Sequence, residues 1–342
     1  MKILVSALEA SANAHLESLL KGEEFEIKGI FDKKFGSPLY PSSDFGVMGF
    51  LDVLPKILKA KRAIEEMVKL SFEADKVLLI DSPAFNLPLA KAIKEKNPSV
   101  TVIYYILPQV WAWKEKRVAK VERYCDRLAS IMPFEERYYT KSVYVGNPLL
   151  DEIKKVRKTP SEGKIVSFLP GSRKSEIRKL MGVFREVAKE IKGKRKVLVV
   201  PRHFEERTIE EFYGDVSEFE ISKDAYETLY ESEFAFICSG TATLEASLIG
   251  TPFVLVYRAK TIDYFIAKRL VKVKYAGLAN IIFDFYGKPP LHKEFFQNEV
   301  NKENLLREYE NREPLIFLEK SKELREILKH GSREKLLEIL KE

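Results

Sequence analysis

Short apolar segments alternate with charged amphipathic segments along the chain, and this alternation restarts near residue 165. The first series of strand candidates runs from Ile3–Ser6 to Val143–Val145, and the second series begins with Ile165–Leu169. Strands that are separated by helices in this way form a parallel sheet with helices on both faces. The sequence therefore predicts an α/β protein with two Rossmann-like parallel-sheet domains that face a cleft.

The length of 342 residues also favours two domains over one. The segment Lys154–Lys164 is rich in charge and contains Pro160 and Gly163, which is typical of a linker. We predict an N-terminal domain over 1–153, a linker over 154–164 and a C-terminal domain over 165–313. The helix-forming tail over 314–342 is expected to pack back on the N-terminal domain.

Composition and missing motifs argue against several classes of protein. The net charge of +7 is spread over both halves of the chain, so a nucleic-acid-binding arm is not indicated. Cys125 and Cys238 are far apart and belong to no Cys/His cluster, which argues against a disulfide framework or a zinc site. GxGxxG, Walker, GxSxG, HExxH and Asp-x-Asp patterns are absent, which argues against dinucleotide redox chemistry, ATP hydrolysis, serine hydrolysis and a metal-held nucleotide sugar.

The turn after Ile165–Leu169 has the composition of a phosphate-binding turn. Gly171, Ser172 and Arg173 follow this strand and open a helix. Exposed N–H groups at a helix start attract phosphate, and an arginine adds a bidentate contact. We predict phosphate binding here, and the alternative is a surface turn with an incidental arginine.

A second turn of this kind follows the strand Phe234–Cys238. Its small residues and hydroxyls suit a diphosphate, and they are Ser239, Gly240, Thr241, Ala242 and Thr243. Glu245 lies just inside the following helix, where a carboxylate binds ribose hydroxyls. The alternative is an ordinary helix cap made by Ser239 or Thr241. Two such turns in one half of the chain favour a nucleotide site.

Two isolated acids follow strands in the first half. Asp81 ends the strand Val77–Ile80, where it is a candidate general base or, alternatively, a helix N-cap. Glu9 lies in the small-residue loop after the first strand, where substrate binding and capping are equally plausible.

An apolar segment precedes a basic helix and resembles a membrane-contact surface. Its apolar members are Met48, Phe50, Leu51 and Leu54, and the neighbouring cations are Lys56 and Lys59. Apolar side chains beside positive charge suit a protein that lies on an anionic leaflet. The alternative is a core helix with an exposed basic side. Basic residues are also frequent between Arg258 and Lys274.

These motifs, in this order, resemble the lipid-A-disaccharide synthase family over almost the whole chain. The characteristic segments are the Glu9 loop, Val47-Met48-Gly49, Ile80-Asp81-Ser82-Pro83, Pro108-Gln109-Val110-Trp111-Ala112-Trp113, Leu169-Pro170-Gly171-Ser172-Arg173 and Ser239–Glu245. Asn280 lies in a segment similar to the family's Pro-Asn-Leu. The tryptophans of the fourth segment either line a sugar or acyl site or simply pack.

The resemblance implies a GT-B glycosyltransferase with the donor site in the C-terminal domain and the acceptor towards the N-terminal domain. It implies an inverting transfer from UDP-2,3-diacylglucosamine to 2,3-diacylglucosamine 1-phosphate, without a cofactor or a catalytic metal. It also implies a cytoplasmic protein on the inner face of the cytoplasmic membrane. By resemblance, Asp81 and Glu9 are catalytic, whereas Arg173, Ser239–Thr243, Glu245 and Asn280 belong to the UDP-sugar site.

Three positions depart from the family pattern: Asn13, Ala84 and Asn147 stand where members often carry Asp, Asp and His. Another GT-B enzyme such as a UDP-GlcNAc 2-epimerase, and a non-catalytic two-lobed binding protein, remain alternatives. No sequence feature decides whether the chain forms a homodimer.

Overall fold

The computed structural model describes residues 1–45, 53–161, 163–259 and 272–342, and within 53–57 it describes the backbone alone. The chain divides into two compact units. The first contains Met1–Asp151 and Lys329–Glu342, and the second contains Glu152–Leu328. Each unit is built on a parallel sheet with helices, which confirms the predicted fold class.

The first unit contains seven strands and six α-helices among the residues that the structure describes. The strands are β1 (Lys2–Ala7), β2 (Glu26–Phe31), β3 (Tyr40–Pro41), β4 (Lys76–Ile80), β5 (Thr101–Tyr105), β6 (Arg127–Ser130) and β7 (Ser142–Tyr144). The helices are α1 (Ala10–Leu20), α2 (Val53–Leu70), α3 (Pro83–Lys96), α4 (Val118–Tyr124), α5 (Pro148–Glu152), whose last residue belongs to the second unit, and the C-terminal helix Ser332–Lys341.

The seven strands are hydrogen-bonded in the order β3-β2-β1-β4-β5-β6-β7 and every pair is parallel. Alternate residues of a strand point to opposite faces of its sheet. Leu4 and Leu79 accordingly belong to one buried apolar cluster, whereas Val5 and Leu78 belong to another. Because both faces are covered, the strands are continuous apolar runs rather than alternating ones.

The second unit contains six strands and seven further α-helices among the described residues. The strands are β8 (Ile165–Leu169), β9 (Arg195–Val199), β10 (Glu220–Ser222), β11 (Ser232–Cys238), β12 (Phe253–Tyr257) and β13 (Lys293–Phe296). The helices are α6 (Lys174–Glu190), α7 (Glu206–Tyr213), α8 (Ala225–Glu231), α9 (Thr241–Ile249), α10 (Leu278–Phe285), α11 (Lys302–Glu310) and α12 (Pro314–Leu328). The C-terminal helix Ser332–Lys341 is therefore α13.

The second sheet has the strand order β10-β9-β8-β11-β12-β13, and all its pairs are parallel. Its core is rich in phenylalanine. Phe168 on β8 stacks on Phe236 of β11 with ring centroids 5.0 Å apart, and Phe184 of α6 packs edge-on against Phe168. These rings hold α6 against the two central strands, so the start of α6 lies at the carboxyl end of β8.

The tail differs from the prediction, because the two terminal helices belong to different units. Helix α12 lies in the second unit, where Phe317 packs edge-on against Phe253 at 5.8 Å. Helix α13 lies in the first unit and buries Leu336 and Leu340 in its core. The tail therefore changes units at Leu328, because each helix carries an apolar face that fits a different sheet.

The predicted linker is also held on the second unit. Arg157 is 7% exposed and donates hydrogen bonds to the carbonyl oxygens of Leu229, Tyr230 and Ser232. Lys155 forms an ion pair with Glu227 of α8. The unit boundary lies at Asp151, before the charged segment, because these bonds fix that segment to the second unit.

The structure also differs from the sequence in one predicted helix and in two strands. The sequence also predicts a helix over Phe134–Thr140, but the structure has a single 3-10 turn there, Glu135–Arg137. The short polar strand β10 and the strand β13 were not recognised from the sequence, because neither has a continuous apolar run. Within the described ranges, the structure contains no helix that combines the length and apolarity needed to span a bilayer.

Candidate functional site

The candidate residues follow the strands at which the order of each sheet reverses. In the first unit, Glu9 follows β1 and Asp81 follows β4, and these two strands are neighbours at the reversal point. In the second unit, Gly171–Arg173 and Ser239–Thr243 follow β8 and β11, which are neighbours in the same way. Open parallel sheets bind ligands beyond the carboxyl ends of strands at such a point.

Asp81 is held in an unusual backbone conformation. Asp81 has a φ of 51° and Ser82 has a φ of 45°, both in the left-handed region. Each residue in this region raises the conformational energy of the backbone by on the order of 1–3 kcal/mol, and such residues cluster at functional sites. Tyr104 donates its hydroxyl to the Asp81 carbonyl oxygen at 2.8 Å, and Asn86 donates its amide to the same oxygen at 2.7 Å. These bonds stabilise the strained turn.

The N-cap alternative for Asp81 is not supported by this geometry. The residue at the N-cap of α3 is Ser82, and no side-chain capping bond is made there. The Asp81 carboxyl is half-buried at the end of β4. Burial raises the pKa of Asp81 above its ordinary value, and the negative charge of Glu9 raises it further, whereas the N–H of Ser82 acts in the opposite direction. The acid therefore has the environment of a general base.

Glu9 is exposed at the start of α1, and its side chain makes no capping bond. The loop is held instead by Asn13, which stands where the family often has Asp. Asn13 is buried, donates to the carbonyl oxygens of Ala7 and Glu9, and accepts from the N–H of Asp32. The carboxylate of Glu9 is therefore left available at the same sheet edge as Asp81.

A cavity of about 580 Å³ opens at the carboxyl ends of the central strands of the second unit. Eight of the ten residues that the sequence assigns to the UDP-sugar site line it: Gly171, Ser172, Arg173, Ser239, Gly240, Thr241, Ala242 and Glu245. The starts of α6 and α9 both meet this cavity, so two sets of unpaired helix N–H groups are directed to the same space. Such an arrangement suits a diphosphate.

The first turn needs glycine at its tip. Gly171 has a φ of 98°, and a Cβ atom there would lie 2.8 Å from Oε2 of Glu176 and 3.4 Å from Sγ of Cys238. Arg173 is exposed, with its Nη1 atom 3.0 Å from Oε1 of Glu176. The guanidinium is thus oriented by a carboxylate on its own helix while its remaining donors face solvent.

Glu245 lies one turn inside α9 and is half-buried. Burial raises the pKa of Glu245 to about 7, and the charges of Asp224 and Glu152 act in the same direction. A carboxyl with this pKa is available in both protonation states near neutral pH. Glu245 lines the cavity, where the sequence predicts a contact with ribose hydroxyls.

Two of the ten residues do not line the cavity. Thr243 is buried, and its hydroxyl donates to the Gly240 carbonyl oxygen at 2.7 Å. Asn280 is fully buried on α10, donates to Glu294 Oε1 at 2.8 Å and accepts from the N–H of Leu291 at 2.7 Å. Both side chains hold the backbone of the unit, because their polar atoms are already paired within it.

Several residues that line the cavity were not predicted from the sequence. Arg202 follows β9, whereas Lys223 and Tyr226 follow β10. The hydroxyl of Tyr226 bonds with the backbone of Lys155. Arg202 could have been identified from the sequence, because it closely follows the apolar run 197–200, which ends β9. Lys223 and Tyr226 depend on β10, which has no such run.

The two tryptophans of the first unit have different environments. Trp111 is 3% exposed, packs edge-on against Phe134 and donates its indole N–H to Glu135 Oε1 at 3.2 Å. Trp113 is 40% exposed. Burial raises the pKa of Glu135 to about 8, although the Trp111 bond opposes this shift. One tryptophan therefore anchors the loop after β5, and the other is presented to solvent.

The proposed membrane-contact residues lie mostly outside the described part of the chain. Met48, Phe50 and Leu51 fall between its ranges, and the side chains of Leu54 and Lys56 are not described. Lys59 is described, and its ammonium forms an ion pair of 2.7 Å with Asp44. In the other basic region, Arg258 donates to the carbonyl oxygens of Lys179, Gln297 and Val300, so its charge is used within the unit.

No group of three or more His, Cys, Asp or Glu side chains within the described ranges has the arrangement of a metal site. The site geometry thus consists of two parts, each within one unit. These are a base candidate, Asp81, beside Glu9, and a nucleotide-sized cavity at two helix starts.

Comparison with known proteins identifies the family. A sequence model of the lipid-A-disaccharide synthetase family matches residues 3–338. The chain belongs to this family. The lipid-A-disaccharide synthase of Campylobacter jejuni (strain NCTC 11168) is 49% identical over 362 aligned residues, which cover 99% of both chains. That of Helicobacter pylori (strain G27) is 50% identical over 349 residues, covering 98% of this chain and 96% of the relative.

Solved structures of other enzymes share the fold of this member of the lipid-A-disaccharide synthetase family. The calicheamicin glycosyltransferase CalG4 has a TM-score of 0.59 at 14% identity, covering 99% of this chain and 97% of its own. A UDP-GlcNAc 2-epimerase from Neisseria meningitidis, bound to UDP-GlcNAc, has a TM-score of 0.57 at 13% identity and covers all of both chains. At such low identity the likeness shows the fold alone, which is that of GT-B glycosyltransferases and epimerases.

Proposed function

We propose that the protein transfers a 2,3-diacylglucosamine unit from UDP to the 6-hydroxyl of 2,3-diacylglucosamine 1-phosphate. The products are the β-1,6-linked disaccharide 1-phosphate and UDP. The acceptor oxygen attacks the anomeric carbon and gives up its proton to Asp81, while the bond to the diphosphate breaks. One displacement of this kind inverts the anomeric centre.

The half-buried and fixed environment of Asp81 is the observation that supports this proposal. A general base must accept a proton near neutral pH and must be fixed in position. Burial and the charge of Glu9 raise its pKa above that of an ordinary aspartate, and Tyr104 and Asn86 fix its backbone. A binding protein without catalytic activity would have no use for this strained, desolvated acid.

The leaving group needs stabilisation of two negative charges. Support for this role comes from Arg173 and from the helix starts at Lys174 and Thr241, which line or border one cavity in the second unit. Donors that are fixed before the reaction stabilise developing charge without reorganisation. In this proposal Glu245 holds the ribose, and Arg202 and Tyr226 contact the rest of the nucleotide.

The test is UDP release from UDP-2,3-diacylglucosamine with and without 2,3-diacylglucosamine 1-phosphate. We expect the wild type to release UDP only with the acceptor, and Asp81→Asn to lose at least about a hundredfold in kcat with unchanged UDP binding. The matched control is Asp75→Asn, because Asp75 precedes the same strand β4 at its opposite end. Turnover of plain UDP-GlcNAc without the acceptor would instead indicate an epimerase.

The acylated substrates also require contact with a membrane surface. The proposed contact consists of the apolar residues Met48, Phe50, Leu51 and Leu54 with the cations Lys56 and Lys59 on or before α2. The net charge of +7 supports attraction to an anionic leaflet. The charge of Lys59 is partly used within the unit, because Lys59 is paired with Asp44.

Sedimentation with anionic vesicles at low and high salt tests this contact. We expect Leu51→Asp with Lys56→Glu to remain in the supernatant while the wild type sediments at low salt. The charge control, Lys91→Glu with Lys96→Glu on α3, makes a larger negative change than the test variant and should still keep the wild-type behaviour. Equal sedimentation of all three proteins would contradict the proposed surface.

A further inference from the structure

Three cations follow an exposed tryptophan in the segment between β5 and α4. Lys114, Lys116 and Arg117 follow Trp113 directly, and no acid in the described ranges forms an ion pair with any of them. The Lys114 ammonium lies 4.0 Å from the centroid of the Trp113 ring, and the Arg117 guanidinium lies 5.5 Å from it. We call Trp113, Lys114, Lys116 and Arg117 the Trp113 cluster. Glu115 lies among these residues in the sequence, so the segment 113–117 carries three positive charges and one negative charge.

The cluster rests on a rigid base. Trp111, two residues earlier, is buried and bonds to Glu135, and Tyr139 donates its hydroxyl to the Pro108 carbonyl oxygen at 2.9 Å. Lys114 has a φ of 54° and begins the 3-10 turn Glu115–Arg117. A loop that is anchored just before its charged residues samples fewer arrangements, which lowers the entropy cost of binding a ligand.

The cluster lies at the same sheet edge as Asp81. Strands β4 and β5 are parallel neighbours with Ile80 opposite Tyr105, so the residues that follow them leave the sheet side by side. Tyr104 connects the two features, because its hydroxyl bonds to the Asp81 carbonyl oxygen. Burial and the charge of Asp81 raise the pKa of Tyr104, whereas the charge of Arg117 lowers it. Both charges therefore act on one hydroxyl group.

We propose that the Trp113 cluster binds the anomeric phosphate of the acceptor sugar and so selects a phosphorylated acceptor. This inference rests on the proposed function. The acceptor carries its nucleophilic hydroxyl and its phosphate on one sugar ring, so a base at Asp81 requires the phosphate site within one sugar length. Arg117 gives the phosphate a bidentate contact, Lys114 and Lys116 add point charges, and the Trp113 ring packs on the sugar.

The phosphate of a membrane lipid has the same chemistry as that of the acceptor. The position beside Asp81 favours the acceptor, since a bilayer phosphate would have no reason to lie next to a general base. Vesicle binding separates the two sources, because a variant that loses acceptor recognition alone will still sediment with anionic vesicles.

The experiment compares two acceptors, 2,3-diacylglucosamine 1-phosphate and the same sugar with a free anomeric hydroxyl. The variant Lys116→Gln with Arg117→Gln is compared with Lys120→Gln and Arg123→Gln, which removes the same charge from exposed positions of α4. We expect the first variant to raise the KM of the phosphorylated acceptor about 10- to 100-fold. Its kcat/KM with the unphosphorylated acceptor, and its KM for the donor, should stay at the wild-type values.

Each outcome has a distinct meaning. If the first variant keeps the wild-type preference for the phosphorylated acceptor, or loses activity equally with both acceptors, the cluster is not a phosphate site. If it also loses vesicle binding while both acceptors are affected alike, the cluster faces the membrane and the inference is wrong. If the wild type itself shows no acceptor-dependent UDP release, the proposed function fails instead.

A fold control accompanies the comparison. Lys114→Gln alone leaves the 3-10 turn and Arg117 in place, and it should weaken phosphate recognition by a smaller factor than the double variant. Thermal unfolding of all variants identifies any that fail to fold. If Lys114→Gln folds normally and still fully prefers the phosphorylated acceptor, Lys114 has no role in phosphate recognition.

Discussion

Arg173 and Glu176 form an ion pair of 3.0 Å at the start of α6, inside the cavity of the second unit. Glu176 is the more buried partner, and it also lies beside the tip of the turn at Gly171. The pair orients Arg173, the charged side chain that the sequence predicts at the diphosphate.

Arg173→Ala should therefore weaken UDP binding about 10- to 100-fold, since a hydrogen-bonded charge on the diphosphate is lost. Isothermal titration with UDP measures the effect. Arg178→Ala on the same helix is the control, because Arg178 interacts with Glu211 outside the cavity lining. Similar losses in the two variants would mean that Arg173 acts only through general charge.

Gly171→Ala should weaken UDP binding and destabilise the fold by about 1–2 kcal/mol, because a left-handed φ disfavours a side chain. The added Cβ would also displace Glu176, which lies within 2.8 Å of it. Gly182→Ala in the middle of α6 is the matched control, since nothing lies within 4 Å of its Cβ position. That change should stabilise the helix by about 0.5–1 kcal/mol. Urea unfolding and UDP titration distinguish the two glycines.

The pH dependence of the reaction tests the link between Glu9 and Asp81. Burial and the Glu9 charge both raise the pKa of Asp81, and the base acts in its ionised form. Removing the charge in Glu9→Gln lowers that pKa, so the acid limb of the kcat/KM profile should move to lower pH. Glu17→Gln on the same helix, where Glu17 is paired with Lys34, should leave the profile in place. An acid limb that stays fixed in Glu9→Gln would show that this limb reports another group.

The C-terminal helix α13 completes the core of the first unit. Leu340 is fully buried there, whereas Leu315 at the start of α12 is 66% exposed. Leu340→Ala should lower the free energy of unfolding of the first unit by about 2–5 kcal/mol, and Leu315→Ala should change stability by less than about 0.5 kcal/mol. Both tryptophans of the chain lie in the first unit, so tryptophan fluorescence during urea unfolding reports that unit. Equal effects would contradict the assignment of α13 to this core.

The sequence predicted the two parallel sheets because continuous apolar runs separated by amphipathic helices have few other stable arrangements. It also predicted the positions of Glu9, Asp81 and the two glycine-containing turns, since each directly follows a recognisable strand. Residues near the cavity that follow the short polar strand β10, such as Lys223 and Tyr226, were not predictable in this way. That strand has no apolar run of its own and exists because it pairs with β9.

Only the tertiary structure decided the roles that depend on contacts between distant segments. Trp111 and Trp113 are equivalent in the sequence, yet Trp111 alone meets Glu135 and Phe134, because the loop and the turn after β6 fold together. The tail likewise contains two similar amphipathic helices, and their separation between the units depends on which apolar face each sheet leaves uncovered. Local sequence determines which residues form a strand, a helix or a turn. Burial and long-range pairing determine which of those residues remain available for chemistry.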